Sequence, residues 1–182
     1  MTERKQIRVV VDAGHGGRDP GAVNGSKHES VAALAIAKKV GAKLKAKGVS
    51  VLYTRTTDTA VSLKERCAVS NTWKADAFIS IHLNAATNTD ASGIETWRYP
   101  VGGVTKNLAD GIQTRLIAAT GAKDRGVKTT TTLYVLKHTA APAALIECGF
   151  ISNNAEAKKL FTDAYQEKIA TAIAEGVYKA LA

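Results

Sequence analysis

The sequence predicts an α/β fold: a single domain with a twisted, mostly parallel (mixed) sheet of about six strands and helices on both faces. Three observations support this. The runs IRVVVD, DAFISIH and AALIEC are apolar almost throughout, as strands covered on both faces are. Longer segments with apolar residues at helical spacing separate them. The 182 residues suit one domain with its own core, and no repeat, linker or low-complexity stretch divides them.

The first strand is expected at 7–12, where a β-branched run ends in the glycine turn of DAGHGG. A helix follows over 29–47. Ala33, Ile36, Ala37, Val40 and Leu44 share one face, and Gly48 stands where a C-terminal cap belongs. Lys39, Lys43 and Lys47 form a stripe on that helix, read as a solvated face. VSVLYT at 49–54 is a strand, VSLKERCAVSNTW at 61–73 a helix, and DAFISIH at 76–82 a strand ending on a histidine. GIETWRY at 93–99 reads as a strand and 104–119 as a helix. TLYVL near 132–136 and AALIEC near 143–148 read as short strands. Helices at 154–161 and 163–181 close the chain; Ile169, Ile173, Val177 and Leu181 of the last keep an i+4 register.

A net charge of +9 suits an anionic partner: nucleic acid, a membrane surface or an anionic cell-wall polymer. No basic–aromatic motif of a nucleic-acid reader occurs, which sets nucleic acid aside. No stretch reaches the roughly 18 to 20 apolar residues of a membrane span. The charged start runs directly into a strand without a signal-peptide core. Cys67 and Cys148 match no CxxC or redox spacing; Cys67, four residues after Leu63 in a helical pattern, reads as a buried thiol.

Ligands of open α/β sheets gather at the carboxyl ends of the strands. There the sequence places His15 after the first strand, His82 at the end of 76–82, and Glu147 near the end of 143–148. Glu29 opens the first helix. Taken singly, a histidine after a strand is an ordinary loop residue, and Glu29 suits a helix N-terminus. Glu147 is different, because a carboxylate closing the apolar run AALIE is costly unless paired or near a cation. Two histidines and a carboxylate around an open position describe a catalytic zinc site, with a further carboxylate free to act as base. A phosphate loop fits less well, since DAGHGG lacks GxGxxG spacing and no GK[ST] follows.

The stretches VVVDAGHGGRDPGAV, YTRTTD, SLKERCAVSN, ADAFISIHLNA, GIETW, DRGV and LYVLKHTAAPAALIECGFISN resemble, in order, the zinc-dependent N-acetylmuramoyl-L-alanine amidases. The likeness is to the branch with DxGHGGxDPGA and SIHxNA signatures and runs from about residue 7 to 180. It implies that His15, Glu29 and His82 hold one Zn²⁺ per chain and that Glu147 is the catalytic carboxylate. His28, beside Glu29, is the competing ligand. Asp12 and Asn84 are candidates for orienting the ligands, and Arg125 for contacting carboxylates of the substrate. His138 matches no family ligand, and Cys148 lies close enough to the site to be tested as an incidental one. Leu83 stands where the family more often has alanine, and Lys137 where it often has arginine.

The resemblance implies a peptidoglycan hydrolase, of endolysin or autolysin type, that cuts the amide between the lactyl group of N-acetylmuramic acid and L-alanine of the stem peptide. One catalytic domain is expected over 1–182, with no separate cell-wall-binding domain. The expected partners are bacterial peptidoglycan and, through the basic surface, anionic wall polymers. The expected site of action is the cell wall, reached from the cytoplasm through a phage lysis system or as part of an exported protein. Two alternatives use the same residues: a zinc peptidase cutting within the stem, and a non-catalytic wall-binding module.

Overall fold

The computed structural model describes residues 6–182; the charged start MTERK lies outside them. The elements in order are β1 Arg8–Ala13, β2 Val23–Asn24, β3 Lys27–His28, α1 Glu29–Ala46, β4 Ser50–Tyr53, α2 Leu63–Trp73 and β5 Ala77–Asn84. Then follow β6 Ile94–Arg98, α3 Gly103–Thr120, β7 Asp124–Thr129, α4 Tyr134–His138, β8 Ala143–Phe150, α5 Asn154–Leu160 and α6 Asp163–Leu181. Six strands form one sheet in the order β4-β1-β5-β8-β6-β7, and β2 and β3 form a small hairpin. Every neighbouring pair in the large sheet is parallel except β6 with β8. The mixed α/β sheet expected from the sequence is therefore present.

Side chains alternate across the sheet, and the two faces pack against different helices. Val9, Val11, Ile79, Ile81, Ala144 and Ile146 join the larger core with α1, α3 and α6. Val10, Phe78, Ala143 and Leu145 join Cys67 of α2 and Val135 and Leu136 of α4 on the other face. On this second face the strands turn polar toward one edge. Val10 is followed by Asp12, Phe78 by Ser80 and His82, and Leu145 by Glu147. Burying each large apolar side chain contributes about 1.5–3 kcal/mol, so the apolar halves anchor the strands and hold the polar halves in place.

Three expectations need correction. TLYVL is not a strand: Tyr134–His138 is a short helix that buries Val135 and Leu136 against Phe78 and Leu145. Tertiary packing here overrides the strand preference of tyrosine and valine. The sixth strand is instead Asp124–Thr129, an edge strand with Gly126 at φ 79°. The lysine stripe on α1 is not merely solvated. Lys39 pairs with Asp163 and Glu167, Lys43 pairs with Glu167, and Lys47 lies 5.4 Å from the Tyr178 ring centre. The stripe thus fastens α1 to α6.

Candidate metal centre and catalytic cleft

β1 runs into a turn that carries His15 in the left-handed region, at φ 58°, followed by Gly16 and Gly17 at positive φ. For a histidine this conformation costs on the order of 1–3 kcal/mol and needs support. Two buried arginines supply it. Arg55 donates to the carbonyls of Ala13 (3.0 Å), Gly14 (2.7 Å) and Ser30 (2.8 Å). Arg66 donates to the carbonyls of Ala13 (2.5 Å) and His15 (2.8 Å). Asp19 Oδ2 lies 2.8 Å from His15 Nδ1, so the other ring nitrogen, Nε2, faces Glu29 Oε1 at 3.2 Å.

Glu29 is 4% exposed, although it is the first residue of α1. No side chain caps that helix. Instead, the carboxylate anchors the helix start: Oε2 accepts from Ala22 N, and Oε1 accepts from Leu83 N, both at 2.9 Å. His82 Nδ1 faces the same Oε1 at 3.0 Å. The two imidazole rings stand 5.0 Å apart at 77°. One donor atom from each of His15, Glu29 and His82 lies within 4.8 Å of the others. Glycine is required twice around them. A Cβ on Gly14 would run into the His82 ring, and one on Gly21, whose φ is 66°, would lie 2.6 Å from Glu29 Oε2.

The electrostatics agree with the geometry. The hydrogen bond that His15 donates to Glu29, aided by Asp19, outweighs burial and lifts His15 to about 9. Burial opposes protonation of His82, but Glu29 and the nearby Glu147 and Asp12 carboxylates outweigh it and raise its pKa. Burial would raise Glu29, yet the two imidazoles hold it well below the usual carboxylate range. The cluster favours a cation at its centre.

Glu147 sits beside His82 in the β5–β8 register and opposite Glu95 in the β6–β8 register. Its Oε2 is sealed from solvent and has no hydrogen-bond partner among the described residues. Burial raises this carboxyl to about 7; Glu29 and Glu95 add to the effect, against the pull of His82 and His15. A group poised near neutrality can take up and give back a proton. Asn84, Trp97, Thr130 and Leu133 line a cleft of about 250 Å³ beside Glu147 and Glu95.

The structure brings four of the sequence candidates together and separates the rest. His28 is exposed, and its side chain makes no capping bond. His138 is exposed and lies 4.2 Å from the Tyr134 ring. Cys148 points to the α1/α3/α6 side, opposite Glu147, and is buried as a free thiol. Asp12 bonds no ligand. It accepts from Thr54 and Ser80 and pairs with Arg66 at 2.7 Å, so it acts on the His15 loop only through that arginine. Asn84 donates to Glu95 at 3.1 Å. Arg125 is engaged with Glu95 at 2.7 Å and lies over the Phe150 ring. Asp19, Arg55, Arg66 and Glu95 were not singled out from the sequence, although all four lie inside the quoted motifs. Their type and spacing carried no hint of what they touch.

A sequence profile described as N-acetylmuramoyl-L-alanine amidase matches residues 9–179. The sporulation-specific N-acetylmuramoyl-L-alanine amidase of Bacillus subtilis (strain 168) is 38% identical over 177 residues, covering 96% of this chain and 68% of that protein. The amidase LytC of the same organism is 40% identical over 171 residues, covering 92% of this chain but only 34% of LytC. The crystal structure of an N-acetylmuramoyl-L-alanine amidase from Clostridium difficile 630 superposes with a TM-score of 0.92 at 37% identity, covering 97% of each chain. The sheet, the edge carrying the histidines and the matches over nearly the whole length agree: the chain belongs to the N-acetylmuramoyl-L-alanine amidase family.

Proposed function

We propose that the chain hydrolyses the amide joining the lactyl group of N-acetylmuramic acid to L-alanine of the peptidoglycan stem, with one zinc ion held by His15, Glu29 and His82. The observation that carries this reading is the convergence of three donor atoms within 4.8 Å, beside a carboxylate with one sealed, unbonded oxygen. Two imidazoles and one carboxylate are the donor set of a catalytic zinc site that leaves a position for water. They fit that ion better than calcium or magnesium, which take oxygen ligands. Zinc bound there supplies Lewis acidity toward the carbonyl and brings its water's pKa close to neutrality.

The chain's own residues do the rest. Asp19 fixes the His15 ring by its bond to Nδ1, leaving Nε2 free to ligate. Arg55 and Arg66 keep the strained turn in place. Glu147 takes a proton from the attacking water and returns it to the departing alanine nitrogen. Its balance near neutrality favours both transfers. Peptidoglycan is the substrate, and the net charge of +9 suits an anionic wall polymer around it. Among the described residues no helix is long and apolar enough to cross a membrane. The action is assigned to the cell wall.

The test is digestion of purified peptidoglycan, with and without chelator and with zinc restored, followed by product mass analysis. New N-terminal alanine on free stems, with glycan chains intact and loss on chelation, is expected. Cuts inside the stem would make the chain a zinc peptidase. Absence of cutting by zinc-loaded protein would leave only a wall-binding role.

A further inference from the structure

Glu95 Oε2 accepts from both Arg125 Nε and Lys128 Nζ, each at 2.7 Å. Its Oε1 accepts from Trp97 Nε1 at 3.0 Å and Asn84 Nδ2 at 3.1 Å. Two cations on one carboxylate leave one positive charge over. Arg125 is committed to Glu95, the Ser92 carbonyl and the Phe150 ring. Lys128 has three N–H donors, and Glu95 is its one hydrogen-bond partner among the described residues. Its side chain is 35% exposed, and its amine lies 5.2 Å from the centre of the Trp97 ring. The spare charge and spare donors therefore belong to Lys128.

This amine sits at the margin of the cleft beside Glu147, since Glu95 and Trp97 both line that cleft. Across the sheet His82, Glu147 and Glu95 lie in one row; Trp97 and Lys128 pair in the next row, beside Leu145, and the Lys128 amine reaches back to Glu95 at 2.7 Å. If Glu147 returns its proton to the alanine nitrogen, the peptide leaves on the Glu147 side, away from His15 and Glu29. From that nitrogen to the α-carboxylate of the next residue is about two residue lengths, roughly 7 Å. β8, β6 and β7 are spaced about 4.8 Å apart, and Lys128 reaches back to Glu95, which brings its amine within that span.

We propose that Lys128 is a specificity-determining residue that reads a free α-carboxylate on the second residue of the stem peptide, while Glu95 holds the lysine against Trp97. The inference rests on the amidase reading. Charge-assisted contact of an ammonium with a carboxylate is stronger than contact with a neutral amide, so stems carrying a carboxamide at that position are poorer substrates.

The experiment measures kcat/KM of the zinc-loaded protein on two soluble muropeptides that differ only in carboxylate or carboxamide at the second residue. The wild-type chain is expected to prefer the carboxylate by about tenfold. Lys128→Met brings the ratio close to one by losing rate on the carboxylate substrate, and Lys128→Arg retains the preference. Equal rates for the wild-type protein, or a preference that survives in Lys128→Met, would overturn the inference. A Lys128→Met protein that fails to fold is replaced by Lys128→Gln, judged by the same ratio. Failure of the wild-type protein to cut either substrate would overturn the amidase reading itself.

Discussion

Glu95 and Glu147 face each other across an antiparallel strand pair, 52 positions apart in the chain, and meet opposite fates. Like charges directly opposite are unfavourable, so the protein satisfies one and leaves the other poised. Burial opposes the charge on Glu95, but Lys128, Arg125 and Trp97 outweigh that and hold its carboxyl below the ordinary range. Among the described residues Glu147 Oε2 has no donor, and burial pushes the carboxyl up to about 7. The same residue type on the same face thus becomes a strut in one place and a candidate base in the other. What separates them is the supply of donors. The strut sits beside cations from β7, and the poised group sits beside the histidine of β5.

Dismantling the histidine edge beside Glu147 has the largest expected effect. His82→Ala is expected to lose bound zinc and all amidase activity together, as read by metal analysis and peptidoglycan digestion. Glu147→Gln is next: about 10² to 10⁴ in rate is lost while zinc stays at one per chain. Glu95→Gln should strike stability more than chemistry, by about 1–3 kcal/mol at neutral pH. The sign of the pH effect follows from its lowered pKa. The stabilisation is present above the ordinary carboxylate value of about 4.3 and is lost as pH falls through the lower folded value. Denaturant midpoints of the two proteins should therefore differ near neutrality and converge in acid. Smallest is the effect of salt. If the basic surface draws the chain to an anionic wall, digestion slows moderately as ionic strength rises. A flat response would detach the charge from the function.

Much of the fold could be read directly because burial on both faces leaves an unmistakable trace in VVV, FISI and AALI. The register of α1 and α6 was equally plain. β7 was hidden because DRGVKT lies at an edge and is half-buried, so no apolar run marks it. The TLYVL segment has strand propensity, yet its Val135 and Leu136 find their partners as a single helical turn. Within the site, His15, Glu29, His82 and Glu147 stood out by residue type at strand or helix ends. Asp19, Arg55 and Arg66 did not, since an aspartate before proline and arginines in polar stretches resemble any loop. Their importance comes from what the fold brings beside them: one ring nitrogen and the carbonyls of a strained turn. Arg125 shows the converse. An arginine that looked ready for substrate is occupied by Glu95, and the spare charge lies on Lys128.

Glu147, and not its neighbour across the strand pair, is the carboxylate proposed to transfer the proton. The direct measurement is the rate at which zinc-loaded Glu147→Gln releases N-terminal alanine from purified peptidoglycan, normalised to bound zinc, beside wild type and Glu95→Gln. A fall of about 10² to 10⁴ for Glu147→Gln, with zinc retained and a far smaller fall for Glu95→Gln, is the predicted result. Near-normal release by a folded, zinc-bearing Glu147→Gln protein would contradict it.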